Sequence, residues 1–289
     1  MNGVYKMSYY QVSDSIVNFK VCISFPSGFE VKSVLERIFC FFNVSEIPES
    51  HVFLPMIKIE AVDKKLYTLT LHTGSATYFY DQLNLQRLCG AMSEFAFLPQ
   101  ILDSSEWFYL HGGAVSKDDI AIVFLGGTHA GKSTLVTRCV HLGYQYMTDD
   151  IVPVNILNLE IAPFPKCIYI RDKKWVDDGK NYVIVDPFEI HLQDDSRFIV
   201  KPISIAERDK RFAKYTFIQL NRNSESECKL VKQAVANAFP ILYSNSRSHL
   251  DMHKNRKMSI ELAKKASLYT LHYDEADIAV REITRHFFE

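Results

Sequence analysis

Apolar residues in the first hundred positions fall in short runs and alternations separated by polar turns. Four stretches rich in valine, isoleucine, tyrosine and phenylalanine predict β-strands: Ile16–Phe25, Val52–Glu60, Leu66–Thr73 and Thr77–Tyr80. Near-helical spacing of apolar residues predicts helices over Val31–Phe42 and Asn84–Leu102. This part of the chain contains no chemical motif, so we predict an N-terminal α+β accessory domain over residues 1–104.

From about Ser105 the pattern changes to strands that alternate with helices. An apolar strand pair is predicted at Tyr109–Val115 and Ile120–Leu125, before a helix over Ser133–His141. Further strands are predicted at Tyr144–Met147, Ile151–Leu157, Lys166–Ile170, Tyr182–Val185, Tyr215–Leu220 and Leu268–His272, and further helices at Glu227–Phe239, Arg256–Ala266 and Asp274–His286. This alternation predicts an α/β domain over residues 105–289.

A glycine-rich turn separates the second strand of this pair from the helix that follows it. Gly126, Gly131, Lys132 and Ser133 match the P-loop spacing G-x-x-x-x-G-K-[ST]. In such a loop, backbone N–H groups surround a polyphosphate, the lysine reaches the β/γ oxygens, and the hydroxyl ligates Mg²⁺. The predicted binding loop for ATP phosphates consists of Gly126, Gly127, Thr128, His129, Ala130, Gly131, Lys132, Ser133 and Thr134.

Two adjacent carboxylates, Asp149 and Asp150, end the strand that follows the P-loop helix. A right-handed β-α-β unit places this strand end at the same sheet edge as the phosphate loop. One carboxylate can ligate Mg²⁺, directly or through water, while the other, with raised proton affinity, acts as a base. His111 lies one strand before the P-loop strand, next to two glycines, and is a candidate for a substrate or nucleotide contact.

The distribution of charge along the chain bears on the kind of partner that the protein binds. The net charge is −1, which argues against nucleic acid as a partner of the whole molecule. The segment from Ser196 to Lys265 is nevertheless basic, with 15 Lys and Arg against 6 Asp and Glu. This segment is either a solvated face or a surface for an acidic ligand.

Six cysteines lie far apart without a C-x-x-C pair, as is typical of a reduced compartment. The sequence shows neither a signal-peptide pattern nor an apolar run long enough to span a bilayer. These features predict a cytoplasmic protein without membrane contact.

The stretch HGGAV, strand, GGTHAGKST, helix, GYQYMTDD resembles the catalytic domain of the HPr kinase/phosphorylase family. The later IAPFPKCIYIRD is similar to shorter relatives that include kinases of lasso-peptide precursors. The core of the resemblance covers about Leu110 to Ile170. It implies a P-loop kinase domain of the HPr kinase C-terminal type, which assembles into homo-oligomers.

The resemblance also implies roles for individual residues. Asp149 corresponds to the general base, Asp150 assists as base or metal ligand together with Ser133, and His111 corresponds to the active-site histidine of the family. The implied reaction is ATP- and Mg²⁺-dependent phosphorylation of a serine hydroxyl in a peptide or protein. A lasso-type precursor is one such acceptor.

Two other functions remain open on the sequence alone. The chain could be a nucleotide-dependent regulatory ATPase or binding module, or a kinase of a small molecule. The GTPase motifs N-K-x-D and D-x-x-G are absent, which argues against a Ras-like switch.

Overall fold

The computed structural model describes residues 7–14, 19–26, 31–62, 66–73, 76–84, 87–92, 96–97, 104–170, 181–184, 198–223, 227–247 and 252–289. Within these ranges the chain forms two compact units. One contains the described residues up to 97, and the other contains those from 104 onward. Both units contain a mixed sheet, and the chain is of the α/β class. The division into two domains after residue 104 stays a prediction.

The first unit is built on a six-stranded mixed sheet with the order β3-β1-β2-β4-β5-β6. Its strands are β1 Met7–Asp14, β2 Phe19–Pro26, β3 Asn43–Ile47, β4 Met56–Ala61, β5 Tyr67–His72 and β6 Thr77–Leu83. Helix α1 spans Val31–Ile38, a 3₁₀ turn spans Glu49–His51, and residues 87–92 form the helical segment α2. Alternate residues of β4 and β5 are fully buried, as expected for a sheet with one covered face.

Two strands of this unit, β1 and β3, are not predicted by the residue pattern. The sequence of β1, MSYYQVSD, mixes polar and apolar residues. It forms a strand because it pairs antiparallel with β2 along its whole length and with β3 on its other side. Parts of the predicted strand Ile16–Phe25 and of the predicted helix Asn84–Leu102 lie outside the described residues.

The second unit contains a seven-stranded mixed sheet and a separate three-stranded antiparallel sheet. The strands are β7 Trp107–Lys117, β8 Ile120–Leu125, β9 Gln145–Thr148, β10 Ile151–Asn155, β11 Ile168–Ile170, β12 Tyr182–Ile184, β13 Phe198–Pro202, β14 Lys214–Arg222, β15 Lys229–Lys232 and β16 Ser267–Tyr273. The helices are α3 Lys132–His141, α4 Val235–Ser244, α5 Met252–Lys265 and α6 Ala276–Phe288.

The large sheet has the order β10-β7-β8-β14-β16-β15, with β9 paired to the end of β7. Strands β8, β14 and β16 run parallel, while β7 runs antiparallel to β8. Helices α3 and α6 pack on one face of this sheet, through residues such as Val136 and Val280. Helices α4 and α5 pack on the other face, through residues such as Leu242 and Leu262. Strand β8 therefore lies between two apolar layers, and the turn that follows it opens at the sheet edge.

The predicted helix Glu227–Phe239 is wrong in its first part. Residues Lys229–Lys232 form strand β15, which pairs antiparallel with β16 at the edge of the sheet. The helix begins only at Val235 and continues to Ser244. The exposed lysines at both ends of KLVK suit an edge strand, and the available partner strand decides the outcome over local helix propensity.

Candidate functional site

The turn after β8 adopts a conformation that requires glycine at its end. Gly131 has φ +95°, in the left-handed region, and α3 begins at the next residue. A Cβ atom at Gly131 would lie 2.2 Å from the hydroxyl oxygen of Tyr273. That hydroxyl donates a hydrogen bond of 2.8 Å to the carbonyl of Ala130 and so ties the turn to the end of β16. The loop backbone is thereby fixed next to the N-terminus of α3.

Lys132, the first residue of α3, is buried in this turn. Its ammonium group donates hydrogen bonds to the carbonyl oxygens of Gly126, at 2.7 Å, and Gly127, at 3.0 Å. Burial lowers the pKa of Lys132, while Asp149 and Asp150 oppose that shift. The predicted phosphate-binding lysine thus faces both the loop backbone and the acidic pair.

Asp149 follows the last residue of β9 and lies against the start of α3. Burial raises the pKa of Asp149 to about 7, and the Asp150 carboxylate adds to this increase. A hydrogen bond from the Ser133 hydroxyl and the charges of Lys166 and Lys132 oppose it. The Oδ1 atom of Asp149 is shielded from solvent and has no hydrogen-bond partner among the described residues. A buried acceptor of this kind has room for a hydrogen bond from water or a ligand.

Gly113 on β7 leaves room for the side chain of Val136 on α3. A Cβ atom there would lie 2.6 Å from a methyl carbon of Val136 and 3.7 Å from Asp149 Oδ1. A larger residue would therefore displace Val136, next to this carboxylate. Gly113 thus allows close packing between β7 and α3, while Gly112 lies against the backbone of β8.

Asp150 has a different environment, because three basic side chains contact its carboxylate. His111 Nδ1 lies 3.0 Å from Oδ1, Lys166 Nζ lies 3.3 Å from Oδ2, and Arg247 lies within 3.4 Å of both oxygens. Burial alone would raise the pKa of Asp150, but the contacts with Lys166, His111 and Arg247 outweigh it and hold the pKa well below its usual range. Asp150 is therefore ionised throughout the physiological pH range. We call these four residues the Asp150 cluster.

Backbone pairing with β7 brings Arg247 to this cluster. The His111 N–H donates to the carbonyl of Asn245 at 2.6 Å, and the Arg247 N–H donates to the carbonyl of Tyr109 at 2.9 Å. The short segment after α4 thus extends the sheet edge beside His111. Its geometry fixes the guanidinium next to the carboxylate.

The residues predicted from the sequence therefore form two contacting pairs that are joined through the adjacent residues Asp149 and Asp150. Ser133 and Asp149 meet at the start of α3, while His111 and Asp150 meet at the edge of β7. Sequence reasoning missed Lys166, Arg247 and Tyr273 as parts of this region. The PFPK turn contained Lys166 as a visible basic residue, but no spacing linked Arg247 or Tyr273 to the loop. The roles assigned to the predicted residues stay predictions.

The side chains present fit a Mg²⁺ ion of the P-loop type. Such an ion takes oxygen ligands from a hydroxyl, one or two carboxylates, phosphate oxygens and water. Ser133 supplies the hydroxyl, and the carboxylate of Asp149 lies in hydrogen-bond contact with it. Among those residues no group of three or more His, Cys, Asp or Glu side chains forms a metal site by itself. The prediction that Asp150 ligates the metal stays open, since its oxygens also contact three basic groups.

We expect Tyr273→Phe to weaken nucleotide binding about fivefold, because one hydrogen bond that holds the loop contributes about 1 kcal/mol. The hydroxyl contacts only the loop carbonyl of Ala130 among the hydrogen bonds found for it. Calorimetric titration with ATP measures the effect. Tyr269→Phe, on the same strand, is the matched control and should leave the affinity unchanged. Equal affinities for all three proteins would contradict a positioning role for Tyr273.

No helix within the described ranges has the length and apolar content needed to cross a membrane.

Comparison with known proteins finds distant structural likeness without a sequence match. No family model and no curated protein matches the sequence. Among solved structures, the HPr(Ser) kinase/phosphatase from Coxiella burnetii aligns with 62% of this chain and 95% of its own chain. The identity is 9% and the TM-score is 0.32. A likeness of this size transfers no function.

Proposed function

We propose that this protein is a kinase that uses ATP and Mg²⁺ to phosphorylate a serine hydroxyl of a peptide or protein. The observation that carries the proposal is the Asp149 carboxyl group, placed against the P-loop and with its pKa raised to about 7. A general base works best when its pKa lies near the operating pH. A carboxylate in contact with the P-loop Ser133 is suited to accept the proton of a hydroxyl that attacks the γ-phosphate.

The basic groups around Asp149 support transfer of a phosphoryl group. Lys132 lies in the predicted phosphate loop, while Lys166 and Arg247 form ion pairs with the neighbouring carboxylate, Asp150. Phosphoryl transfer depends on positioning and on cations that offset the charge of the phosphate oxygens. Mg²⁺, when bound, supplies further neutralisation of that charge. In this proposal Asp150 is a positioning residue, because its carboxylate contacts His111, Lys166 and Arg247 and keeps these three side chains close together.

A peptide acceptor is supported by the resemblance of the segment IAPFPKCIYIRD to shorter relatives of the HPr kinases. This segment also supplies Lys166 to the Asp150 cluster. We therefore propose a serine of a ribosomally made precursor peptide, of the lasso type, as the acceptor.

Intact mass spectrometry tests the reaction. Candidate acceptor peptides are incubated with the protein, ATP and Mg²⁺, and a mass gain of one phosphate that disappears when the serine is replaced by alanine supports the proposal. Labelled ATP is used in parallel with a metabolite mixture. Label on a metabolite would make the protein a small-molecule kinase, and release of free phosphate alone would make it an ATPase.

The raised pKa of Asp149 predicts a change of stability with pH. Its ordinary pKa is 3.8 and its pKa in the folded protein is about 7, so the folded protein binds this proton more tightly than the unfolded chain between those values. This contribution to stability is complete below pH 4 and is lost as the pH rises through 7. Between pH 5 and 8 Asp150 is ionised in both states, because its ordinary pKa is 3.8 and folding lowers it further.

Urea unfolding measures this contribution. The free energies of unfolding of the nucleotide-free wild-type protein and of the Asp149→Asn variant are compared at pH 5 and pH 8. We expect the wild-type protein to lose on the order of 2 kcal/mol relative to the variant between these pH values. Histidine titration affects both proteins alike and cancels in the comparison. Parallel pH dependence of the two proteins would show that the pKa of Asp149 is not raised.

A further inference from the structure

Helix α5 carries basic side chains on the face that it exposes. Lys254, Arg256, Lys257 and Lys264 are exposed, and we call these four residues the basic stripe. The sole carboxylate in the helix is Glu261, which lies 3.1 Å from Lys264. A strong positive potential therefore remains at the N-terminal half of the stripe.

Helical geometry places the stripe on one side. At 3.6 residues per turn, its members occupy an arc of about 160°. The buried residues of α5 occupy the opposite side, where the helix packs on the sheet: Met258, Ser259, Leu262 and Ala263. The side chains of the stripe therefore do not pack in the core, and they are accessible to a ligand.

The charges at the start of the stripe form no ion pair with a described carboxylate. Within the part of the chain that the structure describes, no carboxylate lies within 4.0 Å of Lys254, Arg256 or Lys257. Clustered like charges of this kind repel one another and cost stability, which an acidic ligand would offset.

The N-terminal turn of α5 lies beside the segment that carries Arg247. The Ser246 hydroxyl donates to Asn255 Oδ1 at 3.3 Å, a contact on the side of the helix that faces away from the stripe. Ser246 also precedes Arg247, which contacts Asp150. A polypeptide that follows the stripe toward its N-terminal end therefore arrives at the edge of the candidate active site.

On the basis of the kinase function proposed above, we propose that the basic stripe binds an acidic segment of the acceptor polypeptide. Opposite charges would steer the acceptor and hold it while its serine reaches Asp149. From Lys254 to Lys264 the helix rises about 15 Å, the length of an extended segment of about four to five residues. Nucleic acid fits less well, because α5 contains no Phe, Tyr or Trp on which bases could stack.

Fluorescence anisotropy with labelled octaglutamate as the probe tests the stripe without any phosphoryl transfer. The test variant carries Lys254→Glu, Arg256→Glu and Lys257→Glu. The control carries Lys214→Glu, Lys229→Glu and Lys232→Glu, which changes the charge equally at exposed positions on β14 and β15. We expect the test variant to bind the probe about tenfold or more weakly and the control to bind it like the wild-type protein. Similar losses in both variants, or no binding by the wild-type protein, would overturn the proposal.

Two further measurements separate this proposal from the proposed function. Circular dichroism checks folding, and the double variant Lys254→Gln and Lys257→Gln replaces the triple variant if that one does not fold. Single-stranded DNA is titrated in parallel, and binding tighter than that of octaglutamate would refute a polypeptide partner. If no serine is phosphorylated by the wild-type protein, the kinase proposal fails, while the octaglutamate result still decides the stripe.

Discussion

Asp149→Asn is expected to abolish phosphoryl transfer while leaving nucleotide binding nearly intact. The amide keeps the size of the carboxyl group but cannot accept the proton of the acceptor hydroxyl. Loss of a general base lowers the rate by about 100- to 10,000-fold. The rate of acceptor phosphorylation and the affinity for ATP, measured by calorimetry, are compared in the same protein preparation.

The matched control for this variant is Asp118→Asn. Asp118 is exposed in the turn between β7 and β8 and has positive φ, which asparagine tolerates. This variant should keep both the rate and the ATP affinity of the wild-type protein. If Asp149→Asn lowers ATP affinity as much as it lowers the rate, Asp149 is part of the nucleotide site instead of the base.

Lys132→Ala is expected to weaken ATP binding about 10- to 100-fold, because hydrogen bonds to a charged group contribute about 1.5–3 kcal/mol. The ammonium group is buried in the phosphate loop, where its field is poorly screened by water. Calorimetric titration with ATP measures the loss. Lys229→Ala, at an exposed position on β15, serves as the control and should bind ATP normally.

The stability of the position 132 variants provides a second readout. Burial lowers the pKa of Lys132, so the charged side chain costs stability in the nucleotide-free protein, and Lys132→Met should unfold at an equal or higher temperature without nucleotide. A folded Lys132→Met protein with unchanged ATP affinity would remove the phosphate-loop interpretation.

The parts of the site that are consecutive in sequence were accessible to prediction. The loop from Gly126 to Thr134 follows a strand and precedes a helix, as its spacing requires. The acidic pair follows the next strand, β9, and Asp149 meets Ser133 as the β-α-β rule implies. Local pattern and chain connectivity together suffice for these features.

The rest of the site depends on long-range pairing. Arg247 reaches Asp150 because the segment after α4 pairs with β7, and no local pattern encodes that partner. Strand β15 was predicted as helix for the same reason, since its identity comes from pairing with β16. Strands β1 and β3 were missed because their mixed composition forms strands only through pairing, of β1 with β2 and of β3 with β1.

The Asp150 cluster draws its members from four separate stretches of the second unit, the last of them close to α5. A truncated chain that stopped before residue 245 would retain the recognisable motif and both aspartates, yet it would lack the guanidinium and the backbone partner of His111. A deletion of this kind would therefore remove activity although the motif is still present. A minimal functional fragment has to extend past α4.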